Sequence, residues 1–266
     1  MQLQPSELMK IAMILALARY FSMASDEDVR DPFFLIKPLV GFVLVPVLLV
    51  LVQPDLGTAI KLFMISIAMF FLIGVPLWVF IVGGGVGLAA LPILWHFMHD
   101  YQKRRVEIFL NPESDPLGGG YHISQSKIAI GAGGFDGKGF LQGTQSQLDF
   151  LPEKQTDFIF TLMAEEWGFV GSLVLLALLM LVVAYGIMIA LRSQNQFGRM
   201  LAMGVIINYS LYLFINIGMV MGLMPVVGVP IPLISHGGTA MLSAMFGFGL
   251  IMSVWIHKDI KFNRRL

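Results

Sequence analysis

The chain has 266 residues, 17 basic against 17 acidic side chains, and no cysteine. Charged residues make up 13% and hydrophobic ones 57%, with a mean hydropathy of +0.80, whereas soluble domains carry roughly 25% charged residues. These figures exclude a water-solvated globule and offer no basic bias toward nucleic acid. They also rule out disulfides, thiolate nucleophiles and cysteine metal sites.

Apolar runs recur near the ~20 residues that carry a helix across a bilayer core. Runs such as Leu39 to Val52 do not alternate as the strands of a membrane barrel must. The expected fold is therefore an all-α polytopic membrane protein of about seven transmembrane helices. In order these are Pro5 to Met23, Ile36 to Val52, Gly57 to Ile73, Leu77 to Trp95, Trp167 to Leu191, Met200 to Leu223 and Thr239 to His257. One polar, glycine-rich segment, 96–157, interrupts them as a large loop within a single membrane domain over 1–266.

Lys258, Lys261, Arg264 and Arg265 follow the last span, and Arg192 and Arg199 flank the preceding short turn, so both places are expected to be cytoplasmic. Counting back puts Arg30 and Lys37 inside and the long loop outside. Lys103, Arg104 and Arg105 argue against this, but long loops obey the positive-inside rule poorly. Seven spans with an inside C-terminus place Met1 outside with no export signal, and the expectation is that further helices precede it. The absence of a visible internal repeat disfavours a secondary transporter.

Four polar clusters fall near the expected outer helix ends. The first, Gln4 to Lys10, puts Glu7 and Lys10 one turn apart inside a span, which reads either as a structural salt pair or as the wall of an aqueous cavity. In the second, Gln53 to Ala59, Asp55 is equally well read as a helix cap and as a cavity carboxylate, with Lys61 following. The third runs from Leu151 to Phe160, with Glu165 and Glu166 beyond it, and here an N-cap is the plain alternative for Asp157. An unbroken helix from Asp157 to Arg192 would extend about 54 Å, so its first turns must lie outside the ~30 Å core and Asp157 about 15 Å from Trp167, at headgroup height. The fourth, Pro225 to Gly238, is apolar yet rich in proline and glycine, and reads as a re-entrant or cavity-lining loop.

Three other patterns carry less. Gly131 to Gly139 looks like a phosphate loop, but Ala132 stands at the required first glycine and Gly139 at the required Ser or Thr. His96, His99 and Asp100 have helical ligand spacing without a further ligand cluster. The run Gly83-Gly84-Gly85 with Gly87 suits close helix packing.

Taken together, these residues resemble the SEDS family (shape, elongation, division and sporulation proteins), and within it the RodA-type branch. The resemblance runs through Pro5-Ser6-Glu7, Gln53 to Ala59, Gln102 to Arg105, Tyr121 to Ser126, Gly143 to Gln147, Leu151-Pro152-Glu153 with Thr156-Asp157-Phe158, and Ser235 to Gly238. His236 stands where the family usually has tyrosine. The family has about ten spans, so the resemblance implies three further helices and an outer loop with an Arg-Trp-Leu motif.

It also implies a peptidoglycan glycosyltransferase of the bacterial plasma membrane. Such an enzyme polymerises lipid II, an undecaprenyl-pyrophosphate-linked disaccharide pentapeptide, into glycan strands beside a class B penicillin-binding protein. Glycosyl transfer needs a base for the attacking hydroxyl and compensation for the departing pyrophosphate. The resemblance makes Asp157 the base, and Lys10, Lys61, Lys103, Arg104 and Arg105 suit the diphosphate. Glu7 and Asp55 complete a polar cavity, and Glu153 or Glu165 is the candidate second carboxylate if the reaction is a double displacement. No cofactor is required, though a divalent cation bridging diphosphate and carboxylate is chemically admissible. The rival readings are a flippase for the same lipid and a non-catalytic scaffold for a transpeptidase.

Overall fold

The computed structural model describes residues 4–25, 27–53, 55–115, 118–147, 153 and 155–260. Pro54, Leu151, Pro152, Lys154, Lys261, Arg264 and Arg265 lie outside them. Among the described residues every regular element is helical: α1 (Pro5–Ser22), α2 (Pro32–Pro38), α3 (Val45–Val52), α4 (Leu56–Ile73), α5 (Leu77–Phe97), α6 (Asp100–Leu110), α7 (Gly119–Ala132), α8 (Thr144–Gln147), α9 (Ile159–Arg192), α10 (Gln196–Val220) and α11 (Gly238–Ile256). Six stretches are long and apolar enough to cross a membrane: Pro32–Val52, Leu56–Ile73, Leu77–Phe97, Ile159–Arg192, Gln196–Val220 and Gly238–Ile256. The seventh expected span, α1, forms as a helix but falls outside that set, and it carries Glu7, Lys10 and Arg19.

The chain forms two compact units, one of residues 1–94, 183–210 and 238–266, the other of residues 95–182 and 211–237. In the first, α1 buries one stripe, Glu7, Lys10, Ile11, Ile14, Leu17, Ala18 and Phe21, at helical spacing. Phe21 meets Phe70 of α4 edge-on at 5.0 Å, and the Ser66 hydroxyl of α4 lies 3.3 Å from the Met13 sulfur. The Asp31 carboxylate accepts from the Phe33 N–H to start the rod Pro32–Val52. Its middle, Leu39–Leu44, widens to a π-helical turn before Pro46, a residue that cannot donate to the turn below. Asp55 Oδ1 accepts from Thr58 N at 2.9 Å and Gly74 closes α4 at φ 96°, so α4 is capped at both ends. α5 has no buried residue, and a methyl on Gly83, Gly84, Gly85 or Gly87 meets nothing within 4 Å. The close packing expected of that run is therefore not made among the described residues.

In the second unit the segment expected as a loop contains α6, α7 and α8. The unbroken helix expected after Asp157 is not what the structure contains: α9 begins at Ile159 and breaks at Gly168, whose φ of 65° and ψ of −161° are non-helical. What fails is the single axis of about 54 Å to Arg192 and the height read from it, since the break lies just beyond Trp167. The break strands backbone groups that apolar surroundings cannot satisfy, and the glycine-rich run supplies them. Lys138 N and Gly139 N donate to the carbonyls of Glu165 and Glu166, while Phe169 N and Val170 N donate to Gly134 O and Phe135 O. Such contact requires bare backbone: a methyl on Gly133 would stand 2.0 Å from Ala164 O, and one on Gly168 would stand 2.3 Å from Gly137 N. The phosphate-loop lookalike is thus a patch on a broken helix.

Candidate active site

Glu7 and Lys10 occupy the first turns of α1, where Pro5 starts the helix, and Lys10 Nζ donates to Glu7 Oε1 at 2.7 Å. Lys61 of α4 lies within electrostatic range of Lys10. All three are buried, with exposures of 5%, 0% and 4% for Glu7, Lys10 and Lys61. The three form one buried cluster of ionisable groups, which in an apolar helix marks a functional interior. Asp55 lends its carboxylate to the start of α4, the helix that carries Lys61. Of its two readings, cap and cavity carboxylate, the structure shows the cap.

In the second unit, Asp157 sits two residues ahead of Ile159, so the N-cap position falls to Phe158. Three successive carbonyls of this turn are held from outside. Gln155 O accepts from His236 N at 2.8 Å, Thr156 O from Ser235 Oγ at 2.7 Å and Asp157 O from Asn216 Nδ2 at 2.8 Å. Asn216 Nδ2 also donates to Val229 O at 2.6 Å, and Ser235 Oγ accepts from Ile231 N at 2.8 Å. The proline- and glycine-rich segment 225–238 therefore works as a clamp on the Asp157 turn. The carboxylate itself lies over Gly228, where a methyl would stand 3.3 Å from Oδ2 and where φ is 69°.

The other expected residues divide. Glu153 is exposed at φ 55°, and its Oε2 accepts from Thr156 Oγ1 at 2.9 Å, which ties it to the same turn. Glu165 is fully buried, and its Oε1 takes Gln145 N at 2.9 Å, Lys138 Nζ at 3.2 Å and Thr144 Oγ1 at 3.4 Å. It anchors the segment ahead of the Asp157 turn. On α6, Arg104 pairs with Asp115 at 3.1 Å, Arg105 stacks over Tyr101 at 5.9 Å, and Lys103 is half-buried. His99 caps the same helix through Gln102. Among the described residues no group of three histidines and carboxylates is gathered to hold a metal ion.

Sequence reasoning missed Asn216. An amide inside the predicted span Met200 to Leu223 was the available signal, since polar groups at membrane depth need partners. It also missed the hydroxyl pair of Ser126 and Thr161, both fully buried, 2.7 Å apart, with Ser126 donating to Val220 O.

These features define a multi-pass helical membrane protein with ionisable groups buried in its interior. Residues 1–260 match the family model described as cell cycle protein, FTSW_RODA_SPOVE, and the chain belongs to that family. It is 52% identical over 262 residues to the peptidoglycan glycosyltransferase MrdB of Escherichia coli K12, covering 97% of this chain and 69% of that one. The stage V sporulation protein E of Bacillus subtilis is 37% identical over 254 residues, covering 95% and 68%. A solved peptidoglycan synthase complex, described as coordinating polymerization and crosslinking, matches with a TM-score of 0.79 and 31% identity over 97% of this chain and 71% of that one. The crystal structure of the rod shape determining protein RodA of Thermus thermophilus matches with a TM-score of 0.62 and 28% identity over 98% and 68%.

Proposed function

We infer that this chain is a peptidoglycan glycosyltransferase that polymerises lipid II into glycan strands for cell-wall elongation, working beside a class B penicillin-binding protein. The observation that carries this is the 52% identity, across 97% of the chain, to a curated peptidoglycan glycosyltransferase. The likeness to a synthase complex that couples polymerization to crosslinking supports the partner.

The side chains divide the chemistry as follows. Asp157 accepts the proton of the attacking sugar hydroxyl as that oxygen bonds to the anomeric carbon of the donor. The bond from that carbon to the diphosphate oxygen breaks, and the diphosphate leaves with the electron pair. Lys10, Lys61, Lys103, Arg104 and Arg105 are the basic groups that suit its charge. Glu7 orients Lys10, Asp55 fixes the helix bearing Lys61, and Glu153 steadies the Asp157 turn through Thr156. The three donors on Glu165 Oε1 favour a single inverting displacement over a covalent intermediate on that carboxylate.

From the count of spans along the sequence, the Asp157 turn is assigned to the exported face. Arg192 and Lys258 share the Trp255 ring at 5.8 and 3.9 Å, and Gln194 N donates to Lys258 O, so the basic residues of the last turn and of the C-terminal segment share one end. The positive-inside rule makes that end cytoplasmic.

The chain reconstituted with fluorescent lipid II tests the reading. Polymer made by the unaltered chain and lost in Asp157→Asn supports it. Undiminished polymer in that variant, or translocation of lipid II without polymer, overturns it.

A further inference from the structure

On α7, His122 Nδ1 and Gln125 Oε1 are buried and have no hydrogen-bond partner among the described residues. Unpaired buried polar atoms are rare and call for a ligand or an ordered water. The two residues stand three apart and therefore neighbour each other on the helix surface.

Their direction follows from two contacts. Ser126, one turn beyond His122, bonds to Thr161 of α9, and Gly133, at the end of α7, packs against the backbone oxygen of Ala164. Contact points advance together on the two segments, so α7 and the first turns of α9 run in the same sense. One turn back from Ser126 is His122, and four residues back from Thr161 is Asp157. The unpaired atoms thus lie one turn from the Ser126–Thr161 contact, toward the start of α9 that follows the Asp157 turn.

We propose that His122 and Gln125 form a sugar-binding subsite beside Asp157, taking hydroxyl and acetamido groups of the lipid-linked disaccharide. This rests on the glycosyltransferase reading. An amide oxygen accepts hydrogen bonds, so Gln125 Oε1 suits an O–H or N–H of the sugar and not a diphosphate oxygen, which is itself an acceptor. The imidazole Nδ1 complements it as donor or acceptor according to tautomer.

The experiment compares equilibrium binding of two probes to the chain in detergent: fluorescent lipid II, and undecaprenyl diphosphate, which lacks the sugars. In His122→Ala and Gln125→Leu, lipid II affinity falls about tenfold each, while undecaprenyl diphosphate affinity stays within about twofold. His122→Asn, whose amide reaches the position of Nδ1, restores lipid II affinity to within about threefold of the unaltered chain. Unchanged lipid II affinity in the two deletions, or equal weakening of both probes, overturns the subsite. An unaltered chain that binds neither probe overturns the broader reading instead, and the two failures are thereby distinct.

Discussion

The side-chain amide of Asn216, which has no exposed surface, donates to the backbone oxygen of Asp157 at 2.8 Å and in the same stroke to that of Val229. One nitrogen thus fastens the carboxylate-bearing turn to the segment that holds Val229. Asn216→Leu removes both bonds and strands two carbonyls, a loss of about 1–3 kcal/mol in stability. Polymerisation should fall at least tenfold with lipid II affinity retained, because Asp157, the proposed base, is displaced while the proposed sugar contacts stay. Rate and binding measured on the same preparation check this, and an unchanged rate shows that Asp157 is located by other groups.

Gly228 tests the carboxylate from the other side. In Gly228→Ala the new methyl stands 3.3 Å from Asp157 Oδ2, and a φ of 69° costs an L residue about 1–2 kcal/mol. The expected result is a folded protein with a sharply reduced polymerisation rate. Full activity would mean that the carboxylate works from a different position.

Two neighbouring glycines should behave in opposite ways. Gly133→Ala drives a methyl to 2.0 Å from the Ala164 oxygen and should destabilise by about 1–3 kcal/mol or more. Gly131→Ala meets nothing within 4 Å inside α7 and should be neutral or stabilising by up to about 1 kcal/mol. Thermal unfolding in detergent distinguishes them, and equal effects would refute the helix-patch account.

The buried pair on α1 makes a third contrast. Glu7→Ala removes the carboxylate that Lys10 bonds and should cost about 3–5 kcal/mol, whereas the double variant Glu7→Leu with Lys10→Met should recover much of it. Both should lose polymerisation, since the double variant also lacks a basic group for the diphosphate. A double variant that remains fully active would remove Lys10 from the mechanism.

The polar clusters were legible because ionisable residues stand out in an apolar sequence: Glu7 and Lys10 could be named in one cluster and Lys61 in the next, and all three are buried in one unit. The role of 225–238 was partly legible, since its prolines and glycines forbid a helix, but its hold on the carbonyls of Gln155 and Thr156 depends on partners about 80 residues apart along the chain. The break at Gly168 was hidden. A single glycine within a long apolar run is compatible with a continuous helix, and what decides it is backbone donation from Lys138 and Gly139, which leaves no trace in the pattern of side chains. Asn216 was overlooked because hydropathy averages an isolated amide away.

The corner at Gly168 uncouples two lengths. Bilayers of different thickness are met by tilting the apolar rod that follows it. The glycine patch pins both sides of the corner, and the turn ahead of it is held further by segment 225–238. Adaptation to a thicker or thinner membrane can therefore proceed along that rod while the Asp157 turn keeps its address.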